Sequence, residues 1–339
     1  MNKDVLDRLK GNKTLDDQPL TEFISTGCYA LNRVLTGSYD RGIPVGGILQ
    51  LQGNSSSGKT LFATTFISSA QKEGWYCKLL DAENTFSKEF GRTLGIDSGN
   101  LLYSTPECLE ETFEDIENTI TQIREVDKET PILLVVDSVA VLPTKEEIER
   151  SSVSDIMNTD GARRAIVFGS LLRKITHKLK RNRATLVVIN QIRSKIATNP
   201  HQNPDTTAAG GRALEFYLSA DMQTLSNKTS DVIKEGSSKR KVGVVGRIKI
   251  RKNKLGIPYE ECDFKVLFDK GLDPYYGLEE WLNEDGLIDI SPAGRRSVGD
   301  IAFKKDTISE VLLDQTKTNP ELEKIRGMFR ITLTEAING

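Results

Sequence analysis

Cysteine and histidine are scarce in this chain of 339 residues. The four cysteines are Cys28, Cys77, Cys108 and Cys262. No two of them form a C-x-x-C pair, so the sequence predicts neither a zinc site nor a disulfide framework. Free thiols and a reducing compartment are expected, and neither of the two histidines is assigned a metal or catalytic role.

Long apolar runs are also missing. No stretch approaches the roughly 20 apolar residues that span a bilayer, and residues 1–8 are too polar for a signal peptide. We therefore expect a cytoplasmic protein without a membrane partner. A strong positive charge is absent too, since the net charge is −2. A nucleic-acid site must then be a local basic patch.

Residues 53–60 fit the phosphate-binding pattern G-x-x-x-x-G-K-[ST]. A short predicted strand precedes the loop and a predicted helix follows it, as this chemistry requires. Lys59 can reach the β- and γ-phosphates of ATP, and the Thr60 hydroxyl can ligate Mg²⁺. The predicted ATP-binding residues of the loop are Gly53, Asn54, Ser55, Ser56, Ser57, Gly58, Lys59 and Thr60.

The unbroken aliphatic run at residues 132–136 is typical of a strand covered on both faces, and residues 185–189 (TLVVI) repeat this pattern. Such strands alternate with amphipathic helices, which predicts an α/β fold with a largely parallel sheet. Three runs after residue 218 (219–226, 242–254 and 262–269) are interpreted as antiparallel additions to one edge. Residues 272–339 are expected to form a small C-terminal α/β subdomain with a helical region at 307–330.

Polar side chains follow three of the predicted strands. Asp137 stands where a carboxylate would hold Mg²⁺, Glu83 could activate a water molecule, and Gln191 could sense the γ-phosphate. In parallel sheets, ligands bind beyond the carboxyl ends of the strands. Together with the loop, these residues predict nucleotide hydrolysis.

Two stretches, residues 149–160 and 194–212, are predicted to be long loops, and loops of this length are usually functional or disordered. The second follows Gln191 directly and could bind a polyanion through glycine N–H groups and through Arg193, Lys195 and Arg212. Basic residues also cluster in the predicted helix 161–183. Taken alone, such charge runs usually form a solvated face.

An ordered series of motifs resembles the RecA family of strand-exchange recombinases over about residues 20–290. The motifs are 24–27 (ISTG), 42–44 (GIP), 56–60 (SSGKT), 81–83 (DAE), 135–140 (VVDSVA), 189–193 (INQIR), 203–207 (NPDTT), 210–217 (GGRALEFY) and 252–254 (KNK). Residues 272–278 and the short ends are more similar to phage-encoded members, for which the compartment would be the host cytoplasm.

The resemblance implies a P-loop NTPase core of the RecA type at residues 21–271, preceded by a helix and linker at 1–20 for subunit contact. It implies a helical filament on single-stranded DNA that exchanges strands with homologous double-stranded DNA. Single-strand-binding and mediator proteins are further implied partners.

Residue roles also follow from the resemblance. Glu83, Lys59 and Gln191 would be catalytic, and Phe90 would stack on adenine. Lys252 and Lys254 would reach the ATP of a neighbouring subunit, and Phe216 would connect the ATP state to that interface. The DNA contacts implied by the loops and the resemblance are Arg173, Arg193, Lys195, Gly210, Gly211 and Arg212.

Three departures from the family pattern stand out. Ser87 replaces an aspartate facing the adenine amino group, which predicts looser base selectivity. Arg212 replaces an asparagine, and Ile166 occupies the place of a DNA-contacting arginine, with Arg163 and Arg164 nearby.

Two other functional classes remain open at this point. A hexameric replicative helicase has the same core, but it would carry an arginine finger and a sizeable N-terminal domain. An ATP-gated regulatory or loader paralogue would have lost Lys59, Glu83 or Gln191, and all three are present.

Overall fold

The protein is described by a computed structural model covering residues 22–149, 160–194, 206–208, 211–225, 232–235 and 240–329. The predicted N-terminal helix at 1–20 and most of the predicted first DNA loop lie outside these residues. The helices are α1 (Tyr29–Thr36), α2 (Lys59–Lys72), α3 (Lys88–Thr93), α4 (Leu109–Val126), α5 (Lys145–Glu149), α6 (Asp160–Arg181), α7 (Gly211–Tyr217), α8 (Leu278–Glu284), α9 (Ile308–Leu313) and α10 (Pro320–Met328).

The strands form one large sheet and two small ones. They are β1 (Phe23–Ile24), β2 (Ile43–Pro44), β3 (Ile48–Gly53), β4 (Tyr76–Asp81), β5 (Leu101–Ser104), β6 (Ile132–Asp137), β7 (Ala184–Ser194), β8 (Thr206–Ala208), β9 (Ala220–Leu225), β10 (Val232–Glu235), β11 (Arg240–Asn253), β12 (Glu261–Leu267), β13 (Gly271–Leu272), β14 (Asp289–Ile290), β15 (Arg296–Val298) and β16 (Ile301–Phe303).

The large sheet has the strand order β13-β12-β11-β9-β3-β7-β6-β4-β5. The six strands from β9 to β5 are mutually parallel, and β11, β12 and β13 continue the sheet in antiparallel pairing. The α/β prediction with a largely parallel sheet and antiparallel edge strands is confirmed. Because β3, β7, β6 and β4 are neighbours in this order and run parallel, the P-loop and the predicted polar residues of β7, β6 and β4 lie at the same end of the sheet.

Two details of the prediction were wrong. The run at 219–226 contains β9, which pairs parallel with β3, so the antiparallel part begins only at β11. Residues 194–212 are not free of secondary structure, because β8 pairs antiparallel with β7 and α7 begins at Gly211. The predicted helical region at 307–330 is present and consists of two helices, α9 and α10.

Both faces of the sheet are covered by helices. Along β6, alternate residues enter opposite apolar clusters: Leu133 and Val135 pack on the side of α2, and Leu134 and Val136 on the side of α4 and α6. All four are buried, which explains why the run lacks the polar alternation of a half-exposed strand. None of the helices described has the length and apolar character required to cross a bilayer.

The C-terminal residues form an apolar cluster of their own, built from α8 to α10 and the sheet β14-β15-β16. This cluster packs on α1 and on the residues that follow it through aromatic rings, since Tyr29 and Tyr39 both contact Phe329. Arg33 of α1 binds Asp285 through two hydrogen bonds of 2.9 and 2.7 Å. The unit is therefore attached to residues near the beginning of the core.

Candidate active site

The P-loop joins the buried strand β3 to helix α2. Gly58 has φ +94°, a backbone conformation that side-chain-bearing residues rarely adopt, and it immediately precedes the first helical residue, Lys59. Asn54, Ser55 and Ser56 are exposed at the tip of the loop. The free N–H groups at the start of α2 make this turn an anion-binding site.

Lys59 lies 7% exposed beneath the loop, and its Nζ donates a hydrogen bond to the carbonyl oxygen of Asn54 at 2.6 Å. Burial lowers the pKa of Lys59, while the charges of Asp137 and Glu83 act in the opposite direction. The ammonium group is thus positioned at the loop and partly desolvated. A bound phosphate would compete with the Asn54 carbonyl for the Lys59 ammonium group.

Thr60 and Asp137 meet at the end of β6. The Thr60 hydroxyl donates to Asp137 Oδ2 at 2.7 Å. The pKa of Asp137 is raised to about 6, mainly by burial; the Thr60 hydrogen bond and the charge of Lys59 oppose the shift, and the nearby charges of Glu83 and Asp81 add to it. A hydroxyl and a crowded, poorly compensated carboxylate are oxygen donors that fit Mg²⁺.

Glu83 and Gln191 are in direct contact, although 108 positions separate them in the sequence. Gln191 Nε2 donates to Glu83 Oε1 at 3.0 Å, and the Ser138 hydroxyl donates to the same oxygen at 2.8 Å. The structure therefore brings the three predicted strand-end residues together with the P-loop. Ser138 was not predicted, although its place directly after Asp137 was a signal for it.

Asp81 is a second residue that sequence reasoning did not assign. It is 2% exposed and accepts hydrogen bonds from the Tyr103 hydroxyl at 3.0 Å and from the backbone N–H of Phe86 at 2.9 Å. These contacts hold the connection from β4 to α3, which carries Glu83. Asp81 thus orients the segment bearing the predicted water-activating carboxylate.

Two cavities border the loop, and Phe90 lines both. The larger, of about 380 Å³, lies between the P-loop, α3 and the strands β10 to β13, and it includes Phe268. The smaller, of about 220 Å³, includes Thr60 and Asp137. Phe90 and Phe268 are 39% and 57% exposed, so both rings are available to a flat ligand.

Ser87, the departure near the predicted base site, has a local structural role. Its hydroxyl accepts a hydrogen bond from the backbone N–H of Phe90 at 3.3 Å, as the N-cap of α3, and donates to Glu89 Oε2 at 2.9 Å. The serine therefore fixes the start of the helix that carries Phe90. Phe268 was missed because a lone aromatic after a strand has no distinguishing pattern.

Lys252 and Lys254 line neither cavity. Their ammonium groups instead donate to backbone carbonyls at the end of α7, Lys252 to Glu215 and Lys254 to Phe216, the latter at 3.2 Å. Phe216 is 75% exposed. In this single chain, the two lysines therefore connect β11 with the helix that follows the predicted second DNA loop.

The predicted DNA-binding residues are placed only in part. Arg173 is exposed on α6, Arg193 lies in β7, and Gly211 and Arg212 open α7, whereas Lys195 and Gly210 lie outside the described residues. Near the first predicted loop, Ile166 is 70% exposed. Arg163 is paired with Glu146 at 2.6 Å, and Arg164 donates to the Val139 carbonyl at 2.5 Å.

Comparison with known proteins shows the family to which this chain belongs. The model of the RecA N-terminal domain family matches residues 6–273. Protein RecA from Sulfurovum sp. (strain NBC37-1) is 34% identical over 304 residues, which cover 88% of this chain and 81% of that protein. The chain belongs to the RecA family. Membership supports a recombinase function with binding of ATP and DNA, and it confirms the resemblance inferred from the motifs.

Proposed function

We propose that this RecA-family protein polymerises on single-stranded DNA as a helical filament and uses ATP to pair that strand with homologous duplex DNA and exchange strands. The observation that carries the proposal is the Gln191–Glu83 hydrogen bond. Gln191 lies in β7, which runs on into the β7–β8 hairpin of the second DNA loop. The Gln191 side chain therefore contacts the carboxylate proposed for hydrolysis, and its strand leads into the proposed DNA segment.

ATP would be held by the P-loop N–H groups and by Lys59, with Phe90 stacked on the adenine ring. Thr60 and Asp137 would hold Mg²⁺, supported by their 2.7 Å contact and by the raised pKa of Asp137. A bound ion would offset the negative charge of the phosphates. Occupation of the loop would release Lys59 from the Asn54 carbonyl.

Hydrolysis would use Glu83 to orient and deprotonate the attacking water. Ser138 and Gln191 both donate to Oε1, so Oε2 remains to accept the proton of that water. Gln191 would sense the γ-phosphate through its side-chain amide, and its movement when the phosphate leaves would shift β7. This arrangement would link the state of the nucleotide to the second DNA loop in the same subunit.

Lys252 and Lys254 would exchange their carbonyl partners on α7 for the phosphates of a neighbouring subunit. That exchange would free the last turn of α7, which carries Phe216. Because α7 opens with Gly211 and Arg212, the interface and the DNA loop would change together. The site would then be complete only between two subunits.

DNA would be bound by Arg173, by Arg193, Lys195 and Arg212, and by the N–H groups of Gly210 and Gly211. Contacts of this kind address the phosphate backbone, so binding should be largely independent of sequence and should weaken with salt. Single-strand-binding and mediator proteins would act on the same filament.

The deciding experiment is electron microscopy of the full chain with single-stranded DNA, in ATP and in ADP, together with the ATPase rate with and without DNA. We expect helical filaments that lengthen in ATP and a rate that rises with DNA.

Lys59→Ala should abolish hydrolysis and strand exchange, whereas Lys72→Ala, at the far end of α2, should preserve both. Closed rings that move along DNA would indicate a helicase instead, and a rate insensitive to DNA would indicate a regulatory protein.

A further inference from the structure

A polar cluster lies inside the large sheet, directly below the P-loop. Its members are Gln50 and Gln52 of β3, Asn190 of β7 and Asp221 of β9, all at most 4% exposed. Gln50 donates to Asp221 at 2.9 Å, and Gln52 donates to both Asp221 oxygens at 2.8 and 2.6 Å. Asn190 donates to the Gln50 side chain at 3.1 Å. Such a cluster is not required for stability, because a fold in which apolar residues of similar size replace buried charged groups is often equally stable.

Thr224 adds a contact between β9 and the P-loop itself. It is 2% exposed, and its hydroxyl lies 2.7 Å from the Ser57 hydroxyl. Ser57 also donates to the carbonyl oxygen of Asn54 at 2.8 Å, the same oxygen that receives Lys59. The hydroxyl pair therefore connects β9 to the atoms that must rearrange when a phosphate takes Lys59.

Gly53 makes this contact possible. A Cβ at position 53 would lie 2.4 Å from Thr224 Oγ1 and 2.5 Å from Ser57 Oγ, inside both van der Waals contacts. The glycine thus leaves room for the Ser57–Thr224 pair, in addition to giving a phosphate close access to the backbone.

The chain leads from this contact to the predicted DNA segment. Two residues separate the end of α7 from the start of β9, and α7 begins at the end of the predicted second DNA loop. Leu214 of α7 and Leu218 after it are buried in the apolar cluster shared with α6, so the helix is packed against the core. A displacement of β9 would therefore be transmitted to α7.

We propose that β9 is a positioning strand, in which Thr224, through Ser57, couples occupancy of the P-loop to the second DNA loop of the same subunit. Asp221 holds β9 in register with β3 so that this hydroxyl contact can form. The route is separate from Gln191, which approaches the nucleotide from β7. The inference rests on the proposed function, because it presumes that nucleotide and DNA binding are coupled.

The test is a coupling measurement on the full chain with a fluorescent oligothymidylate. For each variant, the affinity for the oligonucleotide is measured with and without ATPγS, and the ratio of the two affinities is the readout. Thr224→Val keeps the shape and removes the hydroxyl, and we expect it to lower the ratio about fivefold or more. Thr224→Ser keeps the hydroxyl and should retain the ratio of the unmodified chain.

Ser57→Ala provides the second arm of a double-mutant cycle. If the two hydroxyls act as one contact, Thr224→Val combined with Ser57→Ala should lower the ratio no further than either change alone. Independent, multiplying effects would contradict the inference. A Thr224→Val variant that is less stable but keeps the full ratio would show a purely structural role and overturn it.

Failure of the proposed function would look different. If the unmodified chain binds the oligonucleotide equally with and without ATPγS, the proposed coupling of ATP to DNA is wrong, and the inference falls with it. If ATPγS changes the affinity of the unmodified chain and Thr224→Val keeps the same ratio, only the inference about β9 is overturned.

Discussion

Two groups of charged side chains in this molecule are built in opposite ways. At the carboxyl end of the parallel sheet, Glu83 and Asp137 lie close to Lys59, whose ammonium group donates a hydrogen bond to a backbone carbonyl. At the attachment of the C-terminal unit, Asp285 is held by two hydrogen bonds from Arg33 and one of 2.6 Å from Tyr39.

The pKa shifts follow this difference. Burial raises the pKa of Asp137 to about 6, whereas the Arg33 hydrogen bond lowers the pKa of Asp285. A buried carboxylate without a full set of partners destabilises the fold, and a bound cation can remove that cost. A carboxylate that is already paired gains little from a further cation. The first group is thus prepared for a ligand, and the second serves attachment.

The largest expected effect is on catalysis. Glu83→Gln keeps the shape and the contact with Ser138 but removes the proton acceptor. We expect the kcat for ATP to fall by about 10²- to 10⁴-fold, with ATP affinity changed by less than about threefold. Steady-state kinetics and nucleotide titration measure the two quantities. Glu73→Gln, an exposed change beside α2, is the matched control, and a Glu83→Gln variant that turns over normally would remove Glu83 from the mechanism.

The next effect is on stability at the site. The pKa of Asp137 is higher in the folded chain than its ordinary 3.8, so its contribution to stability is present below about pH 4 and is lost as the pH rises through about 6. Asp137→Asn should therefore raise the free energy of unfolding by up to about 3 kcal/mol at pH 8 and change it little at pH 4.

Denaturant unfolding in EDTA at both pH values checks this, because EDTA keeps divalent cations from compensating the carboxylate. The same variant should hydrolyse ATP poorly. A loss of stability at pH 8 would mean that Asp137 is already fully compensated by Lys59 and Thr60.

The smallest effect is at the attachment. Asp285→Asn should lower the free energy of unfolding by about 1 kcal/mol at pH 7, because the contact with Arg33 lies at the surface and is screened by solvent. The folded-state pKa of Asp285 is lowered, so its stabilisation is present above about pH 4 and is lost as the pH falls below that value. Thermal unfolding at pH 7 and at low pH, with Asp289→Asn as a surface control, measures it. A stabilising Asp285→Asn would erase the contrast with Asp137.

Much of the fold could be predicted because local patterns carried it. The P-loop spacing, the aliphatic runs of β6 and β7 and the polar residues after the strands are all short-range signals. The direction of β9 could not be predicted, because alternation along a strand is the same for parallel and antiparallel pairing. Its neighbour β3 lies about 170 positions earlier in the chain, so only the packed sheet shows the pairing.

The site shows the same division. Lys59, Thr60, Glu83, Asp137 and Gln191 could be assigned from the sequence, because each stands at a fixed place relative to a strand or a glycine loop. Phe268 and Thr224 could not, since neither an aromatic residue after a strand nor a threonine within one has a distinguishing local pattern. Phe268 joins the cavity only because β12 lies against the P-loop, and Thr224 reaches Ser57 only because β9 lies beside β3.

By itself, then, the sequence determined the class of fold, the family resemblance and the phosphate-binding loop, since these depend on residue types at short, regular spacing. Only the tertiary structure decided which distant side chains meet: Gln191 with Glu83, Lys252 with the end of α7, Asp221 with Gln50 and Gln52. The physical reason is that hydrogen bonds act over about 3 Å, and the order of strands in a sheet places groups at that distance without regard to their separation in the chain.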